Sequence, residues 1–280
     1  MNETYKIMNG KEVANHIKQQ VKEEIENNNL DVTLAVVMVG NDPASKVYVN
    51  NKKKACKEVG IKSAEFTLPS STTEDELLLL IQLLNNNEDI DGILVQLPLP
   101  NNIDEDKVIS AIAVEKDVDG FSAENVGKLW QGDYSVASCT PAGIMELLNY
   151  YNIDIEGKHC VIVGRSNIVG KPMAALMLER NATVTICHSK TQNLSAITNQ
   201  ADILIAAVGK SKFITSDMVK NDAIVVDVGI NRDENGKLCG DIDFENVKDK
   251  ASYITPVPGG CGPMTIAMLM KNTLIAAKKY

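Results

Sequence analysis

The chain alternates short, almost purely apolar runs with longer segments whose apolar residues recur every three or four positions. TLAVVMVG (33–40), HCVIVG (159–164), ATVTIC (182–187), DILIAAVG (202–209) and AIVVDVG (223–229) read as buried strands. FTLP (66–69) and DGILVQLPLP (91–100) add two more, and Pro98 and Pro100 end the second and fix an extended exit. Helical spacing covers 11–28, a segment opened by Asn41-Asp-Pro and running to about Val59, 74–86, and roughly 170–180. A turn at Cys139-Thr-Pro-Ala-Gly caps a further helix to about Tyr151, and a last helix covers roughly 265–279.

Strand–helix alternation over most of the length predicts an α/β protein with largely parallel sheets. Ligands of such sheets sit at the carboxyl ends of the strands. The longest apolar run, LLLLIQLL at 77–84, is too short to span a bilayer. Thr73 and Glu76 precede it at capping-box spacing, so it reads as an amphipathic helix with a buried side.

Composition narrows the class. At 280 residues, one large or two moderate domains are expected. Hydrophobic content of 44% and charged content of 23% fit an ordinary globular protein. A net charge of −9 and a pI near 5.0 argue against a general nucleic-acid partner. The opening MNETYKIMNGKEV is polar, so no secretory leader and no membrane partner are expected. The six cysteines contain no CxxC pair and no histidine at zinc-ligand spacing, which predicts reduced thiols and no metal site.

Within this acidic chain, KVYVNNKKKACK at 46–57 holds five lysines. At about 100° per residue, Tyr48, Lys52, Ala55 and Val59 share one narrow stripe with Cys56 at its border. Lys53, Lys54 and Lys57 point elsewhere and need only solvent, or the acidic tail of a ligand. Lys52 is the exception, an amine on the apolar side one turn from a tyrosine.

A second candidate site is VIVGRSNIVGKP at 161–172, which follows a buried strand and opens a helix. Gly164 allows a tight turn, Gly170 can let a helix start approach a phosphate, and Pro172 suits a first helical turn. Arg165 and Ser166 break the usual GxGxxG pattern. Spacing alone therefore leaves dinucleotide binding and a purely structural βαβ unit both open. At the next strand end, Cys187-His188-Ser189-Lys190-Thr191 lacks the carboxylate of an NAD site. Arg165, Ser189 and Lys190 could instead hold a 2′-phosphate, favouring NADP, unless Ser189 and Lys190 only form a polar turn.

Taken together, VGNDPASKVYVNNKKKACKEVGI, DGILVQLPLP, EKDVDGF, CTPAG, VIVGRSNIVGKP, CHSKT, DVGIN and TPVPGGCGPMT resemble the bifunctional methylenetetrahydrofolate dehydrogenase/cyclohydrolase family over essentially the whole chain. The resemblance implies NADP-dependent oxidation of 5,10-methylenetetrahydrofolate to the methenyl cation, then hydrolysis to 10-formyltetrahydrofolate. It implies two α/β domains. Residues 1–139 with 258–280 would form a folate-binding catalytic domain completed by the C-terminal helix, and 140–257 a Rossmann-like NADP-binding domain. Lys52 would be catalytic, with Tyr48 shaping the folate site and Gln96 assisting the lysine. Asp119 would hold the pterin, while Pro258, Gly259 and Gly260 would border substrate. Gly164, Arg165, Ser166, Gly170, Ser189 and Ile230 would contact NADP. Tetrahydrofolate derivatives as ligands, a homodimer, a cytoplasmic setting and a place in one-carbon metabolism and purine biosynthesis are also implied. A single-activity dehydrogenase and a non-catalytic NADP- or folate-binding protein stay as alternatives.

The chemistry suits these residues. Water attack on a cationic carbon needs a neutral base, and desolvation disfavours a lysine's charged form. Gln96 is uncharged and can orient the amine without locking it as ammonium. A pterin presents a ring N–H beside an exocyclic amine, which one carboxylate such as Asp119 can accept bidentately. Asp117 is expected only to support the turn. Thr265 is a candidate cap for the last helix. Two positions depart from the family: Val114 where proline is usual, and Cys261 where valine is usual, placing a thiol close to the folate site.

Overall fold

The computed structural model describes residues 5–278; the polar start at 1–4 and Lys279 of the expected last helix lie outside them. The chain runs β1 (Lys6–Ile7), α1 (Gly10–Asn28), β2 (Thr33–Val39), α2 (Pro43–Val59), β3 (Lys62–Leu68), α3 (Glu74–Asn85) and β4 (Gly92–Val95). Two short helices follow, α4 (Glu105–Ala111) and α5 (Ala123–Gln131), then α6 (Cys139–Tyr150). The next stretch holds β5 (His159–Val163), α7 (Gly170–Glu179), β6 (Thr183–Cys187), α8 (Leu194–Thr198), β7 (Ile203–Ala206) and β8 (Ala223–Asp227). It closes with β9 (Asn231–Arg232), β10 (Leu238–Cys239), α9 (Phe244–Val247), β11 (Ala251–Ile254) and α10 (Cys261–Ala277).

Two compact α/β units result. One comprises Asn15–Cys139 and the chain from Ile266 onward, around a parallel sheet ordered β3-β2-β4. Central β2 sets Val37 between Phe66 and Val95. Ala35, Val37, Val39, Ile93 and Val95 pack with Leu77, Ile81 and Leu84 of α3. Helix α3 carries the expected capping box: Glu76 N–H donates to Thr73 Oγ1 at 3.3 Å, and Thr73 N–H to Glu76 Oε2 at 2.8 Å. Its Leu79 and Leu83 stay exposed, so only one stripe of the apolar run is buried.

Helices α4 and α5 carry start signals of their own that the hydrophobic pattern did not reveal. Asp104 caps α4 by accepting from Asp106 and Lys107 N–H, and Ser122 caps α5 by accepting from Asn125 N–H. Between them lies Lys116, a buried amine that donates to Leu84 O, Asn85 O and Asn87 O at 3.1, 2.9 and 2.7 Å. It satisfies the carbonyls that α3 leaves open at its end. Burial holds its pKa below the usual lysine value, against the opposing pull of Asp91, Glu115 and Glu88. Lys116→Met is expected to lower the free energy of unfolding by ~2–4 kcal/mol, because the carbonyls lose their buried donor. Urea denaturation followed by circular dichroism checks this; an unchanged midpoint would show that the amine is dispensable.

The other unit comprises the chain up to Ala14 and Thr140–Thr265. Within it β1 pairs with β11, Lys6 opposite Tyr253 and Ile7 opposite Ile254. The sheet is parallel throughout, in the order β1-β11-β8-β7-β5-β6. After β6 the chain crosses to the far side of β5 to place β7. That reversal makes β5/β7 the switch point where a doubly wound sheet opens a crevice. Val161, Val163, Leu204, Ala206 and Val225 form the core beneath it.

Candidate active site

Helix α2 presents the first group of candidate residues. Asp42 caps it by accepting from Ser45 N–H at 2.7 Å, Pro43 occupies its first turn, and Gly60 ends it in a left-handed conformation. Ala55, Cys56 and Val59 are buried, Lys52 is half-buried, and Lys53, Lys54 and Lys57 are exposed. The helical phase thus separates the lysines as expected, with one addition: Lys53 pairs with Glu65 at 2.6 Å. Tyr48 lies one turn before Lys52 and is 37% exposed.

Lys52 Nζ donates to Gln96 Oε1 at 2.9 Å. Gln96 stands just past β4, where its N–H donates to Val37 O at 2.8 Å and continues the parallel ladder. Its Nε2 donates to Leu97 O at 2.6 Å, which fixes the amide with the carbonyl toward the lysine. Asp119 follows a turn built by Asp117, whose carboxylate accepts from the N–H groups of Gly120, Phe121 and Ser122 and from Asn125 Nδ2. Asp117 supports the turn, as its sequence context suggested. Burial pushes the Asp119 carboxyl up to about 6, with Lys52 opposing and Asp117 reinforcing the shift. Three residues far apart in sequence therefore meet in one unit: an amine, an amide that orients it, and a carboxyl in its field.

In the other unit, candidates gather at the carboxyl ends of β5, β6 and β8. Gly164 has φ +137°, and an added Cβ would lie 2.2 Å from Ala207 O, so only glycine turns the chain there against the end of β7. At Gly170 the closest atoms to an added Cβ are Gly164 O at 2.2 Å and Gly164 C at 2.6 Å. The missing side chain makes room for the turn's own backbone. Ser166 Oγ accepts from Val169 and Gly170 N–H at 3.1 and 3.4 Å, holding the start of α7. Arg165, Ser166, Ser189, Lys190 and Ile230 are all exposed. The turn after β6 is tied by His188 N–H to Thr191 Oγ1 at 2.8 Å and Lys190 N–H to His188 Nδ1 at 3.1 Å. A glycine turn at the switch point, a guanidinium and hydroxyls on open loops, and no carboxylate in 187–191 fit a phosphorylated dinucleotide.

The Pro258-Gly259-Gly260 segment packs on its own chain. Lys11 N–H donates to Gly259 O at 3.2 Å, Gly259 has φ +111°, and a Cβ on Gly10 would lie 1.9 Å from Gly260 O. A Cβ on Gly260 would lie 2.7 Å from Pro256 O, so the segment's own backbone crowds that position. Thr265 does not cap α10, which begins at Cys261; its Oγ1 donates to Cys261 O at 3.3 Å and lies 2.8 Å from Thr140 Oγ1. Cys261 is buried with Asp227 as the charged group acting on it, and burial pushes the thiol well above its ordinary value. Asp227 lies at the end of β8. Val114 opens a short 3₁₀ turn through Lys116 and accepts from Asn125 Nδ2 at 3.1 Å.

Two family models match the chain: the tetrahydrofolate dehydrogenase/cyclohydrolase catalytic domain over residues 8–119, and that family's NAD(P)-binding domain over 138–280. The chain belongs to the tetrahydrofolate dehydrogenase/cyclohydrolase family. The bifunctional protein FolD of Lachnoclostridium phytofermentans is 59% identical over 277 residues, 98% of each chain. The bifunctional FolD enzyme of Campylobacter jejuni has a crystal structure that superposes with a TM-score of 0.96 at 52% identity, covering 98% of this chain and 99% of that one. A Trypanosoma brucei dehydrogenase–cyclohydrolase, solved with NADP and an inhibitor, gives a TM-score of 0.93 at 35% identity, with 98% of each chain covered.

In this tetrahydrofolate dehydrogenase/cyclohydrolase chain, three buried polar residues beside the candidate sites escaped the sequence reading. Asn272 on α10 donates through Nδ2 to Val118 O at 2.9 Å and Ala137 O at 3.0 Å, bracing the turn that carries Asp119. Asp227 and Asp241 accept the N–H groups of loops after β7 and β8. Asp227 opens the DVGIN segment without a role given to it there, and neither Asn272 nor Asp241 sits in a spacing that marks it.

Proposed function

We infer that this protein is a bifunctional one-carbon folate enzyme: it oxidises 5,10-methylenetetrahydrofolate with NADP⁺ and hydrolyses the methenyl product to 10-formyltetrahydrofolate. The observation that carries the reading is the Lys52–Gln96 hydrogen bond at 2.9 Å in a unit that also brings Asp119 into the lysine's field. NADP⁺, when bound, supplies the hydride acceptor. Hydride transfer asks nothing of a protein acid or base, so the chain's task in that step is alignment. Asp119 accepts the paired pterin N–H groups and fixes the ring, and Tyr48, on the same helix face as Lys52, borders it. Hydrolysis does require proton movement. Lys52 Nζ takes a proton from the water that adds to the methenyl carbon, and Gln96 aims the amine through its fixed carbonyl.

The folate chemistry is assigned to the unit holding Lys52, Gln96 and Asp119, and NADP to the unit holding Gly164, Arg165, Ser166, Gly170, Ser189 and Ile230. Arg165 and Ser189 receive the 2′-phosphate. Pro258, Gly259 and Gly260 are kept as a substrate border on the strength of the family resemblance. A homodimer in the cytoplasm, serving purine biosynthesis, belongs to the same proposal on the strength of the family resemblance. The net charge of −9 speaks against nucleic acid as a partner, and among the described residues no helix is long and apolar enough to cross a membrane.

One assay tests this reading: methylenetetrahydrofolate is supplied with NADP⁺ or NAD⁺, and reduced cofactor and methenyl decay are followed in the same sample. NADP⁺ reduction followed by enzyme-dependent methenyl decay is expected. Reduction without decay would leave a single-activity dehydrogenase, and binding without either would leave a carrier. Arg165→Ala should lower kcat/KM for NADP⁺ by about 10–100-fold, the worth of a charge-assisted hydrogen bond, and leave the NAD⁺ value unchanged. Equal loss with both cofactors would remove Arg165 from the 2′-phosphate site.

A further inference from the structure

Two carboxylates are buried side by side in the six-stranded unit, and the chemistry above uses neither. Asp241 is fully buried. Its Oδ2 accepts from Val208 N–H at 2.6 Å and Gly209 N–H at 3.0 Å. Its Oδ1 accepts from Lys210 N–H and Asn231 Nδ2, both at 2.9 Å. Four donors fill the acceptor positions of one carboxylate. Three consecutive backbone N–H groups, 208–210, wrap it as they would a bound anion.

Asp227, at the end of β8, accepts from Gly229 N–H and Asp241 N–H on Oδ1 and from Ile242 N–H on Oδ2, each at 2.9 Å. Burial, reinforced by Asp241, pushes its carboxyl up to about 7. Oδ2, with a single donor, has room for that proton. The glycines nearby have no space for a side chain. A Cβ on Gly229 would lie 2.2 Å from Asp241 Oδ1, and one on Gly240 would lie 1.8 Å from Asp227 Oδ2.

The clamp holds two loops that leave the carboxyl ends of adjacent strands. The loop after β7 begins at Ala207, whose carbonyl is the atom against which Gly164 turns. The loop after β8 has both residues flanking Ile230 tied inward, Gly229 through its N–H to Asp227 and Asn231 through its side chain to Asp241. Ile230 itself is left 50% exposed. An apolar residue held outward by two buried anchors is placed to meet a ligand.

We propose that Asp241, together with Asp227, is a positioning residue for the dinucleotide: it sets the loops on either side of the NADP site and so determines how tightly the cofactor binds. The inference rests on the NADP reading above. Asp241→Asn keeps the shape but turns one acceptor oxygen into an N–H₂ group that faces N–H donors. Calorimetric titration of the full-length variant should show a Kd for NADP⁺ raised about tenfold or more, with KM for NADP⁺ rising in step. Hydrolysis of supplied methenyltetrahydrofolate, which needs no cofactor and uses Lys52 and Gln96, should stay within about twofold of wild type.

A lower Tm with unchanged NADP⁺ affinity would make Asp241 a purely structural residue and overturn the proposal, as would equal losses in both activities. If Asp241→Asn does not fold, Asn231→Ala decides: it removes one donor of four and should raise Kd by roughly three- to fivefold, whereas an unchanged Kd refutes the clamp. Wild-type protein in the same titration separates the two levels, since failure of the wild type to bind NADP⁺ would sink the cofactor reading itself.

Discussion

A Lys52→Met protein is expected to lose methenyl hydrolysis by at least about 100-fold, the usual worth of a positioned general base, while binding NADP⁺ with unchanged affinity. Methionine keeps the length and the apolar stem, so α2 should still seat Ala55, Cys56 and Val59. What disappears is the group proposed to take the proton from attacking water. The hydride step needs no such group, so dehydrogenase activity should fall less than hydrolysis, and the ratio of the two rates is the diagnostic quantity. Gln96→Glu makes the complementary test. It sets a carboxylate where Gln96 Oε1 now accepts from Lys52 at 2.9 Å, and it should suppress hydrolysis by holding the lysine as ammonium. Full hydrolysis by Lys52→Met would remove the lysine from the mechanism.

The second large effect concerns Asp119. In the proposed role the pterin N–H groups need the carboxylate, and burial pushes this carboxyl up to about 6. In the free enzyme it protonates as pH falls through that value. The kcat/KM for methylenetetrahydrofolate should therefore be level above pH 6 and drop about tenfold per unit below it. Asp119→Asn should lower kcat/KM by roughly 100-fold at pH 8 and remove that limb, because an amide offers one acceptor and one donor where two acceptors are needed. A limb that persists in the variant would assign it to another group.

Stability should move the opposite way. The folded-state pKa lies above the unfolded value of 3.8, so the native state holds a proton that the unfolded chain has released between about 4 and 6. This group's contribution to stability falls as pH rises across that window and stays low above it. Asp119→Asn avoids the cost of burying the anion and should raise Tm at pH 8. The form proposed to bind substrate is the form the fold tolerates least, a common signature of a functional carboxyl.

The sequence by itself determined whatever depends on a local period or a local turn. The buried strands, the capping box at Thr73 and Glu76, the left-handed need at Gly164, and the separation of Lys52 from Lys53, Lys54 and Lys57 all follow from residues within one or two turns of each other. Burial of a helix face or a strand repeats with the backbone, so it leaves a trace in the residue order. The family motifs added which residues to watch, and the geometry then joined Lys52 to Gln96, forty-four residues on.

Only the tertiary structure decided what fills the space beside a residue. Beside Gly170 and Gly260 the chain's own backbone occupies the space nearest each missing side chain. Thr265 read as a cap and lies inside a helix. Lys116 caps α3 from about thirty residues away. Asn272, 154 residues from Val118, and Asp241, about thirty from the N–H groups it collects, carry no periodic signature. A buried polar side chain is retained for partners that burial denies any water, and chain folding alone chooses those partners. The residues that hold the sites in place are therefore less visible in sequence than the residues that line them.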